Sequence, residues 1–413
     1  MGKSHLLMFG LILTGGSLLA ACSSDTTPSD GSAGSSSAGS GGEAGAVDTL
    51  PPPPLDPQTV VIPGAAPDTS TALLVGGTDY IAKSEIVSVT IGTGEVGKSE
   101  TYDDGDTVAV SSAGIGFALE RSSDKVNLLD AGAISTTFDL KDPGTDTAPV
   151  DSKAYVPVLG ANFIAILDLT EGKVSRRLDL SEFLDASDAD GSVEAVEGVY
   201  DPKANVAYFL LQRIDRTTYD SSAHLACSSL RGLIIGIDAA TDKFVDLNGK
   251  DAGKGIELQL VNPRSLSLNA DGDTAYLLAD GCWDSTTTKK NGGVEVVDLT
   301  AATSTVAYSD ETTNYLAKLI LTGGSDALIQ YSDEHFITSH TQRLDLSNGT
   351  LGDELDGVPD VVSFDGTDLL GVQVTGTVGA VVRYKLATGK TTVISDTSWG
   401  GDYATASSTA LVQ

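Results

Sequence analysis

An alternating apolar segment that ends in a polar residue recurs seven times between residues 86 and 385, and this repeat restricts the fold more than any other feature. The copies are Ile86-Val87-Ser88-Val89-Thr90, Val126–Asp130, Ile164–Asp168, Ile234–Asp238, Val294–Asp298, Thr341–Asp345 and Val381–Lys385. Gly94, Gly172, Gly349 and Gly389 each stand four residues beyond the segment-ending residue, where a tight hairpin needs the positive φ that glycine tolerates. Successive copies end 40, 38, 70, 60, 47 and 40 residues apart, and the two long intervals contain insertions. A second strand follows a Gly/Pro/Asp turn upstream of several copies, as in Asp201–Tyr208 and Asn269–Tyr276. Abundant Gly, Val, Thr and Ser, with only two Met, favour strands and turns over helices.

A period near 40 residues is the length of one four-stranded propeller blade. The pattern resembles the YVTN-type β-propeller repeats of secreted bacterial proteins. The resemblance is strongest over Asp151–Lys173 and Asn269–Asp298, where Ala154-Tyr155-Val156 is followed by Ile164–Asp168 and Gly172-Lys173. Membership would imply a scaffold and not one activity, because this fold hosts enzymes, binders and structural parts alike. A single blade cannot bury both faces, whereas a ring of blades covers every face and leaves only short edges. The reading is therefore an all-β chain, a seven-bladed β-propeller over residues 60–413. Thr71–Val75 and Thr409–Val412 are the candidates for the strand pair that closes the ring.

The N-terminus carries an address. Lys3 precedes the apolar run Leu6–Leu13, which is too short to span a bilayer and has the form of a secretory signal. Leu19-Ala20-Ala21-Cys22 resembles the bacterial lipobox, which implies cleavage after residue 21 and lipidation of Cys22. Ser23, in place of an Asp, implies the outer membrane under the sorting rule such lipoproteins follow. Residues 22–59 are rich in Ser, Gly, Ala and Asp and end in the run Pro51–Pro54, the composition of a disordered tether.

With 57 acidic against 25 basic residues, the chain has a formal charge of −32. Such a balance excludes nucleic acid as a partner, since phosphate backbones need clustered Lys and Arg. Beyond Cys22 the cysteines are Cys227 and Cys282, a matched pair in an exported protein. Each falls between the second and third strands of its own repeat, in neighbouring repeats, so a disulfide is expected. The acidic segment Asp185–Glu197 suggests calcium: Asp188, Asp190, Glu194 and Glu197 are the candidate ligands, although Ala186 stands where an EF-hand has its first ligand. No other cofactor is called for. His335 and His340, five residues apart, would face opposite ways on one strand and read as solvated side chains.

Tyr219, His224 and Trp283 lie in the two cysteine-bearing insertions and are candidate recognition residues. The leading reading is a membrane-anchored, extracytoplasmic binding module for a protein or surface ligand. The face carrying insertions 213–231 and 281–293 would make the contact. The alternatives are a propeller hydrolase or lactonase with a metal or carboxylates at the channel mouth, and a structural part of an envelope complex.

Overall fold

The structure is a computed structural model that describes residues 72–412, apart from 79–81, 113, 131, 220–223, 228–229, 250–253, 285–288, 334–338, 360, 376–377 and 396–404. The predicted signal peptide, Cys22 and the predicted tether lie outside the described residues.

Seven four-stranded antiparallel sheets form the body, and one of them gains a short fifth strand, Ile256–Glu257. Blade 2 is Thr107–Ser112, Ile115–Glu120, Lys125–Asp130 and Ala133–Asp139. Blade 3 is Ala148–Val150, Lys153–Pro157, Phe163–Asp168 and Lys173–Asp179. Blade 4 is Ala195–Asp201, Val206–Leu211, Leu233–Asp238 and Lys243–Val245. Blade 5 is Pro263–Leu268, Thr274–Ala279, Gly292–Asp298 and Thr303–Asp310. Blade 6 is Tyr315–Gly323, Asp326–Ser332, Ser339–Asp345 and Thr350–Glu354. Blade 7 is Val361–Phe364, Leu369–Thr375, Val378–Lys385 and Lys390–Ser395. All seven copies of the sequence motif are third strands of their blades.

Blade 1 is composite. Thr405–Val412 is its innermost strand, followed outward by Ala72–Thr78, Ser84–Thr90 and Val96–Tyr102. The register pairs Ala72 with Val412, Leu73 with Leu411, Leu74 with Ala410 and Val75 with Thr409. This is the closure expected from the sequence.

Strand alternation explains why the second and third strands read as apolar runs. In Val206–Leu211 every residue is buried. Ala207, Phe209 and Leu211 pack towards blade 3 against Tyr155, Ile164 and Ile166. Tyr208 and Leu210 point the other way, onto Leu266, Ala275 and Leu277 of blade 5. Each of the seven interfaces between neighbouring blades holds one such cluster. Outer strands lack the second cover and alternate with solvent, as Lys173–Asp179 does.

Where a third strand ends in Asp168, Asp238, Asp298 or Asp345, that side chain builds the turn after it. Asp168 Oδ1 accepts from the N–H groups of Thr170 and Glu171, and Asp298 Oδ1 does the same for Thr300 and Ala301. Positive φ follows at Gly94 (71°), Gly172 (66°), Gly349 (69°) and Gly389 (64°). Asp242 and Ala302 take that place in blades 4 and 5, at 54° and 53°. Among the described residues no helix is long and apolar enough to cross a membrane.

Candidate functional site

A β-hairpin ladder fixes which loops share a face. Connections between second and third strands, and those leading from an outer strand to the next blade, emerge on one side of the ring. The insertions after Leu211 and Ala279 and the acidic segment before Ala195 therefore crowd the same face, over blades 3 to 5.

Cys227 and Cys282 form a disulfide across blades 4 and 5, with Cα atoms 4.9 Å apart. The Cys282 backbone N–H donates to Asn291 Oδ1 at 3.0 Å. Beside the bridge, the Trp283 N–H donates to the Leu225 carbonyl at 2.7 Å, joining the insertions a second time. The rings of His224 and Trp283 stack 4.1 Å apart at an interplanar angle of 9°. Both residues are half-buried, and one ring face covers the other. Trp283-Asp284 pairs with Lys289-Lys290 in a small ribbon. The Lys290 ammonium, buried at 8% exposure, contacts both oxygens of Asp280 at 2.8 and 2.9 Å and lies over the Tyr315 ring. Arg264 approaches Asp280 at 3.1 Å. Burial pushes Lys290 down to about 8, against the pull of Asp280 that favours its charge.

Tyr219 is 38% exposed, yet burial of its hydroxyl raises its pKa, and Arg264, Asp280, Arg216 and Glu194 act on it electrostatically. The three aromatic candidates therefore share one face with the disulfide.

The four expected calcium ligands do not stay together. Asp188 and Asp190 are joined by Asp215, with one carboxylate oxygen of each lying within 4.8 Å of the others. Glu194 is buried beneath them; its Oε2 accepts from the Ile214 N–H at 3.1 Å, and Arg216 stands 3.6 Å from its Oε1. Burial, then the Asp190 charge, raises Glu194 to about 8. Glu197 is elsewhere. The first strand of blade 4 starts at Ala195 and carries Glu197 into the centre of the ring. A contiguous acidic segment is thus cut by a strand boundary, and Asp215, from the next loop, completes the surface group that sequence reading assigned to Glu194 and Glu197.

The centre is a cavity of about 330 Å³ lined by the innermost strands of the blades. Its charged lining is Asp146, Glu197, Lys318 and Arg264. Glu197 Oε2 accepts from the Leu266 N–H at 2.8 Å, and Thr145 Oγ1 lies 3.4 Å from its Oε1. The Thr147 N–H donates to Asp146 Oδ1 at 2.7 Å, and Lys318 Nζ donates to the Val362 carbonyl at 2.7 Å. Protein surrounds all three charged groups, while each keeps part of its surface towards the channel. Enclosure raises Asp146 to about 7 and Glu197 to about 8, and it lowers Lys318. Sequence reading missed Asp146, Lys318 and Arg264, because they lie on different blades and no local pattern marks them.

His340, outside this region, stacks on Tyr331 and lies 2.6 Å from Glu354 Oε1. His335 is outside the described residues.

Fold and site together define a seven-bladed β-propeller whose channel is lined by two carboxyls, a lysine and an arginine. No family model matches the chain, and no curated protein does. Solved structures match by fold. A 6-phosphogluconolactonase candidate from Bacteroides fragilis is 14% identical, with a TM-score of 0.54, over 84% of this chain and 99% of that one. A second such candidate, from Bacteroides uniformis, is 14% identical with a TM-score of 0.53, over 83% and 100% of the two chains. BamB from Moraxella catarrhalis is 12% identical, with a TM-score of 0.43, over 79% and 82%. At such identity the likeness is one of fold alone.

Proposed function

We propose that this protein is an exported propeller, lipidated at Cys22 and held at the outer membrane. There it binds a protein or surface ligand through the insertion-bearing face of blades 4 and 5. The lipobox-like Leu19–Cys22 and the YVTN-type repeats support the export and the scaffold. The observation that carries the binding reading is the bridging of two insertions into one unit, with the His224–Trp283 stack held beside the disulfide and Tyr219 exposed on the same face. Rigid aromatic side chains on a braced loop lose little freedom on contact, which is what a recognition hot spot needs. Calcium at Asp188, Asp190 and Asp215 would brace the same face.

The test compares partners recovered from native membranes by wild-type protein and by a Tyr219→Ala/Trp283→Ala variant of unchanged fold. Specific partners should fall by at least about tenfold, the loss expected for two truncated anchors. An unchanged partner set rejects the face.

A second reading, hydrolysis of a sugar lactone, is favoured by the Asp146–Glu197 pair in the channel and by the lactonase candidates among similar folds. Wild-type protein that leaves the hydrolysis rate of such a lactone at its spontaneous value removes it.

A further inference from the structure

We propose that the central channel binds a small organic ammonium compound, with the cationic group held between Asp146 and Glu197. The site stands apart from the insertion face and does not depend on it.

The cavity's charge balance carries the inference. Two carboxylates face one ammonium, and none of the ion pairs within 4 Å among the described residues joins Lys318 to either acid. Lys318 is turned to the Val362 carbonyl instead, and Arg264 is committed to Asp280. Each acid is steadied by a backbone N–H, Leu266 for Glu197 and Thr147 for Asp146, so both are fixed in place without an ion-pair partner. Enclosed carboxyls are costly to ionise, and Lys318, which acts on both, pairs closely with neither. A bound ammonium group supplies that close partner through charge-assisted hydrogen bonds.

Size and composition narrow the class. A cavity of about 330 Å³ lies within the range of small-molecule sites and far exceeds a bare ion. A divalent metal would want six or more oxygens, whereas this channel offers two carboxylates and a competing ammonium. An anion would meet the two acids beside Lys318, with Arg264 turned to Asp280. Lys318 remains available to an acceptor elsewhere on the ligand, and Ser265, Ser267 and Ser111 line the same space.

The ionisation of the groups gives a signature. Enclosure holds Asp146 at about 7 and Glu197 at about 8, so both are partly protonated at neutral pH. The groups acting on them are each other, Lys318, and the N–H and hydroxyl donors already named. An incoming ammonium drives them to ionise, so binding releases protons.

Titration calorimetry at neutral pH decides the matter with putrescine and glucosamine as probes and 1,4-butanediol and glucose as their uncharged counterparts. The amines should bind and the uncharged pair should not. The heat should differ between phosphate and Tris in the sense of proton release. Glu197→Gln and Asp146→Asn should each weaken the amines by about tenfold or more, the loss of one charged hydrogen bond. Should one of these variants fail to fold, the other decides. Lys318→Met should bind the amines at least as well, since it removes a like charge. Trp283→Ala should leave them unaffected, which separates this site from the insertion face. Failure of both amines to bind, equal binding of the uncharged pair, or undiminished binding in the acid variants overturns the proposal.

Discussion

Glu197, Glu194 and Asp146 are carboxyls held above their ordinary pKa values of 4.5, 4.5 and 3.8, to about 8, 8 and 7, chiefly because folding takes them out of bulk water. A group whose pKa rises on folding binds its proton more tightly in the native state. Its contribution is fully present below the unfolded pKa and is lost as pH climbs through the folded one. The carboxyls that folding lowers, such as Asp179 and Asp345, act only in acid. Lys290, lowered to about 8, acts in the opposite sense only above that pH. Between about pH 5 and pH 8 the raised carboxyls therefore set the slope. The melting temperature should fall by several degrees over that interval, and Glu197→Gln should flatten the decline. A protein that melts higher at about pH 8 than at about pH 5 contradicts this.

At the scale of the element, the disulfide matters through the length of chain it encloses. It joins residues 55 apart. Closing a loop of that size restricts the unfolded chain by up to about 4 kcal/mol on the entropic account. The double variant Cys227→Ser/Cys282→Ser should lose stability up to that amount in urea unfolding, and reducing agent should affect the wild type only. Equal stability of the two proteins would show that the insertions are held by the Trp283–Leu225 contact alone. The bridge was legible because both cysteines occupy the same place in consecutive repeats. Third strands were legible because each is an apolar run ending in a polar residue, with an Asx-type turn after Asp168, Asp238, Asp298 and Asp345. The first strands of blades 3 and 7 were not: Ala148–Val150 has three residues, and Val361–Phe364 has four, too short for any period to show. Glu197 was noticed, but in the wrong company, because sequence neighbourhood puts it beside Glu194 while the strand beginning at Ala195 carries it away.

For the molecule as a whole, the ring stands on its seam. Thr405–Val412 pairs along Ala72–Thr78, and Ser408 Oγ accepts from the Ala109 N–H of blade 2 at 2.7 Å. Ser363 Oγ of blade 7 donates to the Thr409 carbonyl at 3.0 Å. One strand thus ties three blades. Ending the chain at residue 404 would expose the edge of Ala72–Thr78 and uncover Leu74, so the truncated protein should melt at least about 10 °C lower and lose cooperativity, given the several kcal/mol at stake. Calorimetry showing an unchanged sharp transition would contradict the role given to the seam. The channel was the least legible feature for the same reason that the seam is strong: it is made by the ring. Asp146, Glu197, Arg264 and Lys318 come from blades 3, 4, 5 and 6, and their meeting depends on the curvature of the whole assembly.

Because residues 405–412 follow the rest of the ring along the chain, six blades can stack while Leu73 and Leu74 wait for their inner partner. Closure of the ring is therefore the final step in joining the blades. A stall or early stop anywhere upstream leaves an open arc with a bare strand edge at one end, a species that proteases and aggregation can act on. The eight-residue strand Thr405–Val412 therefore acts as a check that the ring has been closed.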